Sequence, residues 1–89
     1  MIYLDKNKIT LEQIKEILIN QGFNKTSSKR FIRYEKIVNK WGDYWGIEIT
    51  TYNSYYELRS YATATLGIGI TDTITSVLYP LFKDYEFIW

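Results

Sequence analysis

The side chains of this sequence that could move a proton or attack a substrate are carboxylates and hydroxyls. Asp43, Glu48, Glu57, Asp72, Asp84 and Glu86 could supply an acid–base pair, and Ser27, Ser28, Ser54, Ser60 and Ser76 a nucleophile. A serine needs a base beside it, and the chain has no His to serve as one and no Cys to act instead. No spacing sets two of the carboxylates apart as a pair. The usual nitrogen and sulfur ligands of zinc go with the missing His and Cys, and no clustered acidic loop offers calcium an oxygen cage. The chain therefore reads as non-enzymatic, with no catalytic, metal or cofactor site.

Leu66-Gly67-Ile68-Gly69-Ile70-Thr71-Asp72 places two glycines just before an expected helix, where a phosphate could sit on free backbone N–H groups. A third glycine is lacking, and Asp72 would put a carboxylate in the phosphate's place. A strand-to-helix connection with a capped start is the better expectation.

What the chain has in quantity is ring surface: 9 Tyr, 4 Phe and 3 Trp in 89 residues. Such rings either stabilise a sheet through cross-strand pairs or present contact area to a partner. The elements decide which. Thr10 and Gln13 form a capping-box pattern, Ile9 and Ile14 a hydrophobic staple, and Leu11, Ile14, Ile17 and Leu18 one apolar stripe. Gly22 suits the left-handed position after the helix, with Phe23 closing back on Leu18. Polar Asn24 to Lys29 reads as a loop, and strands follow over Arg30–Val38, Tyr44–Tyr52 and Tyr55 to about Thr65.

A two-residue turn at Asn53-Ser54 sets Tyr52 opposite Tyr55, Ile49 opposite Leu58, Glu48 opposite Arg59 and Gly46 opposite Tyr61. A four-residue loop over Lys40–Asp43 sets Val38 opposite Trp45 and Tyr34 opposite Ile49. One face then carries Ile32, Tyr34, Val38, Trp45, Ile47, Ile49, Tyr56, Leu58 and Ala62, with Lys36 its only charge. The other carries a row of Phe31, Tyr52 and Tyr55, with Arg33, Glu35, Glu48, Glu57, Arg59, Ile37 and Tyr61 around it. A second helix is expected over Thr73 to about Lys83, capped by Asp72 or Thr71. Ile74, Val77, Leu78 and Leu81 would be buried, Pro80 would kink or end the helix, and a short strand would follow over Tyr85–Trp89.

The expected fold is a single α+β domain over residues 1–89: helix, three-stranded antiparallel meander, helix and short C-terminal strand. Both helices would lie on the Trp45/Ile47/Ile49 face, and a right-handed crossover would make the terminal strand parallel to its neighbour. No segment reads as a signal peptide or a membrane span, because Asp5, Lys6 and Lys8 interrupt the first apolar residues and Asp72 and Pro80 the later ones. The absence of Cys points to a reducing, cytoplasmic setting.

A net charge of +1, from 11 basic and 10 acidic residues, is far from that of a dedicated phosphate-backbone binder. The leading expectation is a protein-interaction module that binds a larger protein through the aromatic sheet face or a strand edge. Its surface would comprise Phe31, Arg33, Trp41, Tyr52, Tyr55, Arg59 and Tyr61, while Lys6 and Lys83 would be peripheral. Trp41, at a loop tip, would either pack back on the sheet, the default, or anchor a partner. In size and composition the chain resembles phage or mobile-element accessory proteins that inhibit host defence enzymes, a likeness of type that no motif carries. The alternative is a single-stranded nucleic-acid binder that stacks bases on the same rings. The face or the C-terminal strand could also join two copies as a homodimer.

Overall fold

The computed structural model of the protein describes residues 1–26, 32–63 and 68–88, and the side chains of all of these but 68–74. Its elements in chain order are β1 (Ile2–Asp5), α1 (Leu11–Asn20), β2 (Asn24–Lys25), β3 (Ile32–Ile37), β4 (Tyr44–Thr51), β5 (Tyr55–Ala62) and α2 (Ile68–Phe82), ending in a 3₁₀ turn at Lys83–Tyr85. Among the described residues the sheet has five strands in the order β1-β5-β4-β3-β2, each pair of neighbours antiparallel. This corrects the expected three-stranded meander at both edges. Ile2 and Leu4 are buried while Tyr3 and Asp5 alternate with them, and β1 pairs with β5. Asn24 and Lys25, expected in a loop, pair with Glu35 and Tyr34.

β1 and β2 lie at opposite edges, so the segment joining them must cross the sheet. Five strands span about 19 Å, and a helix of α1's length rises about 15 Å, so α1 and its flanks suffice to cross it. Its ends form as the local signals require. Thr10 accepts from the Gln13 N–H at 3.2 Å, and the Gln13 side chain accepts from the Thr10 N–H at 2.8 Å. Gly22 has φ +91°, and its N–H bonds the Ile19 carbonyl while that of Phe23 bonds the Leu18 carbonyl, a Schellman closure. Ile9, Ile14, Leu18 and Phe23 all enter the core. Thr10→Ala is expected to cost about 1 kcal/mol and Ile14→Ala about 2–5 kcal/mol, read from urea unfolding midpoints at unchanged m-value.

The β4–β5 register is the one the two-residue turn dictates: Ile49 faces Leu58, Glu48 faces Arg59 and Gly46 faces Tyr61, while the Tyr52 N–H bonds the Tyr55 carbonyl at 2.9 Å. The β3–β4 register differs from expectation by two residues. Tyr34 faces Ile47 and Lys36 faces Trp45, because the turn closes one residue earlier on each side, with the Val38 N–H on the Asp43 carbonyl. A slip of two leaves every side chain on its expected face.

Ile2, Leu4, Tyr34, Ile47, Ile49, Tyr56 and Leu58 of the sheet join Ile14 and Leu18 of α1 and Leu78 and Phe82 of α2 in one cluster. Lys36, the lone charge expected there, reaches out of it and donates to the Gln21 carbonyl at the C-terminus of α1, 3.1 Å away, where a cation is favoured.

α2 corrects two further expectations. It starts at Ile68, so Thr71 and Asp72 lie inside it instead of capping it, and Gly69 is helical; Gly67 lies outside the described residues. Its buried positions among the described side chains are Leu78 and Phe82, whereas Val77 is 55% and Leu81 37% exposed. Ile74 lies among the side chains not described. A 2.7 Å hydrogen bond between Ser60 and Thr75 ties α2 to β5 on the core side. Beyond the 3₁₀ turn there is no terminal strand among the described residues. An isolated antiparallel bridge joins Glu86 to Leu4, in place of the expected parallel pairing. No described helix is long and apolar enough to cross a membrane.

Candidate interaction surface

Both helices contribute buried side chains to one face of the sheet, and the opposite face carries exposed Ile37, Tyr52 and Arg59 among side chains that are half-buried. Alternation places Tyr3 of β1, Tyr55, Glu57, Arg59 and Tyr61 of β5, Tyr44, Gly46 and Glu48 of β4, and Arg33 and Glu35 of β3 on it. Its side chains separate into an aromatic corner and a polar lattice.

The corner is centred on Tyr55. Tyr52 stacks on it at 4.9 Å between centroids and 25° between planes, Tyr3 meets it edge-on at 5.7 Å, and Phe87 lies at 5.3 Å. Desolvation by this packing, then the neighbouring phenols of Tyr52 and Tyr3, push the Tyr55 hydroxyl pKa up from its ordinary value. Tyr52 remains 43% exposed. Lys6, expected to be peripheral, donates to the Tyr52 carbonyl at 2.9 Å and fastens the corner from β1's end.

The lattice is built around Gly46. A Cβ at that position would overlap the Tyr61 ring, which lies across the strand in the space the glycine leaves. From there the Tyr61 hydroxyl donates to Glu35 at 2.7 Å, Tyr44 packs edge-on at 6.2 Å, and the Arg33 guanidinium lies 5.9 Å from the ring centroid. Arg33 Nε donates to Glu48 at 3.0 Å, and Arg59, 60% exposed, has Glu57 at 3.6 Å. Glu48 is in register with both Arg33 and Arg59, and its ion pair goes to Arg33.

Burial first, then the bond to the Glu35 carboxylate, raise the Tyr61 pKa well above the usual phenol value of 10. Because the folded pKa is raised, the associated stability is fully present below the unfolded value and is lost as pH climbs past about 10. Above that pH the unfolded chain releases a proton that the folded chain retains. Tyr61→Phe should therefore flatten the fall of stability between about pH 10 and 11.5 by close to one proton per molecule, measured as the pH-dependence of the urea midpoint.

Trp41 is 77% exposed and does not pack back on the sheet. Asn39 Oδ1 accepts from the N–H groups of Trp41 and Asp43, Asn39 Nδ2 donates to Asp43, and Gly42 takes φ +84°, so the turn holds its shape without burying the indole. The Lys40 ammonium lies 4.9 Å from the ring centroid. Trp41 precedes β4 and Tyr52 follows it, and eight strand residues span about 27 Å. The structure thus brings Tyr52, Tyr55, Arg59, Arg33 and Tyr61 onto one face and leaves Trp41 at its far end. Phe31 lies outside the described residues.

Tyr3 and Phe87, which complete the corner, were missed by the sequence reasoning. Tyr3 was legible in the Ile-Tyr-Leu-Asp alternation, whereas Phe87 has no local signal that would place it on β1. Among the described residues no group of acidic side chains could hold a metal ion. No protein-family model matches the chain, and no curated protein or solved structure matches it either.

Proposed function

We propose that this chain is a non-enzymatic interaction module that binds a larger protein through the open sheet face, with Tyr55, Tyr52 and Arg59 as anchors. The stacked Tyr52–Tyr55 pair at a solvent-facing corner carries the reading. Its rings are ordered by their neighbours, so little rotamer entropy is lost when a partner covers them, and Tyr and Arg supply much of the binding energy at such surfaces. An inhibitor of a host protein, of phage or mobile-element type, is one member of this class and is supported by composition alone.

The same rings could stack bases, but the charges favour a protein. Both arginines described on the face have a carboxylate within ion-pair distance, and Glu35 lies beside them. Those carboxylates would repel a phosphate backbone, whereas a mixed-charge rim suits a protein surface.

Capture from a lysate of the native host tests the reading. A retained protein should be lost with Tyr55→Ala or Arg59→Ala at a cost of ~2 kcal/mol, about thirtyfold in affinity, and kept with Lys83→Ala. Retention of nucleic acid, released steeply by salt, would reject it in favour of the stacking alternative.

A further inference from the structure

We propose that the outer edge of β1 is a docking site for an extended segment of a partner protein that carries a carboxylate followed directly by an aromatic residue, with the chain's own Glu86-Phe87 standing in for it. Among the described residues β1 is the last strand on its side of the sheet, and an edge strand offers backbone groups to any extended chain that reaches it. The protein's own tail shows how the edge is used. The Phe87 N–H donates to the Tyr3 carbonyl at 2.8 Å, and Glu86 forms an antiparallel bridge with Leu4.

Side chains around this bridge distinguish the occupant. The Phe87 ring packs on Tyr55, the Tyr79 hydroxyl donates to the Glu86 carboxylate at 3.1 Å, and Lys8 Nζ donates to the Glu86 carbonyl at 3.3 Å. An aromatic cradle thus adjoins a hydroxyl and an ammonium on the side where the preceding residue lies. Among the described residues the tail meets the β1 backbone through a single bridge and not a ladder, and it follows a helix already anchored by buried Phe82. Glu86 and Phe87 can therefore leave the edge while Phe82 and Tyr85 keep their places against the core.

The proposal rests on the reading of the molecule as an interaction module and shares Tyr55 with it, but it uses the β1 edge where that reading uses Arg59. The two therefore fail separately. The test is an NMR titration of the full chain, ¹⁵N-labelled, with a synthetic peptide of the sequence of residues 83–89. In the unaltered chain the tethered tail competes at high effective concentration, so the peptide should bind Phe87→Ala about tenfold or more tighter than wild type. Binding should move the amide signals of Tyr3, Leu4 and Tyr55, and a peptide with Ala in place of its Phe should lose it.

Equal affinity for both chains, no binding to a folded Phe87→Ala, or shifts confined to Arg59–Tyr61 would overturn the proposal. If Phe87→Ala does not fold, hydrogen exchange on the wild-type chain decides: the Phe87 amide should open at least about a hundredfold more readily than that of Leu58. Equal protection of the two would overturn it. So would isotope-filtered contacts between Phe87 of one copy and Tyr3 of another, which would assign the edge to self-association.

Discussion

Phe82→Ala should destabilise the protein by about 3–5 kcal/mol, whereas Leu81→Ala, one position earlier, should cost no more than about 1 kcal/mol. Phe82 is fully buried in the cluster shared by the sheet and both helices, and Leu81 is not part of it. Deleting the ring removes its transfer energy and leaves a cavity where α2 meets the core, just before the turn that leads the tail to β1. Paired urea denaturation curves measure the difference. If Leu81→Ala proved the costlier, α2 would be rotated by most of a residue from the arrangement described here.

Gly46→Val should cost about 1–3 kcal/mol or more, because the added side chain occupies the space of the Tyr61 ring. To accept it, the ring must swing off the strand, and the bond from its hydroxyl to Glu35 goes with it. The cost should shrink when Tyr61 is already Ala, so the double-mutant cycle should give a coupling well beyond about 0.5 kcal/mol. Additive costs would mean that Tyr61 does not lie over Gly46. The pair also governs the site, since the ring over the glycine orients the lattice in which Arg33 and Glu48 meet.

The elements legible in the sequence are those specified by near neighbours. α1 carries its start, stripe and stop within Ile9–Phe23, and the β4–β5 hairpin has so short a turn that its register is a matter of counting. The longer β3–β4 turn leaves its closing pair open, and the error of two residues spared the faces because side chains alternate with period two. β1 was missed because its four residues gain their meaning from β5, fifty or more positions away in the chain, and β2 is too short and polar to carry a pattern.

α2 misled for a different reason. Val77, Leu78, Tyr79, Leu81 and Phe82 give it apolar side chains on nearly every side, so periodicity alone cannot select the buried ones. At the site, Tyr52, Tyr55, Arg59 and Tyr61 were legible because the β4–β5 register places them on one face. The other two ring neighbours of Tyr55, Tyr3 and Phe87, were missed because they come from the edge strand and the tail.

Hydroxyl-radical footprinting of the chain alone and bound to its captured partner reads the aromatic side chains directly. Covering of the open face predicts that Tyr52 and Tyr55 lose reactivity on binding, while Trp41 at the far end and Val77 and Leu81 on the outer side of α2 keep theirs. Protection of Trp41, or of Val77 and Leu81, with Tyr52 and Tyr55 unchanged would place the partner elsewhere and contradict the assignment of the sheet face as the binding surface.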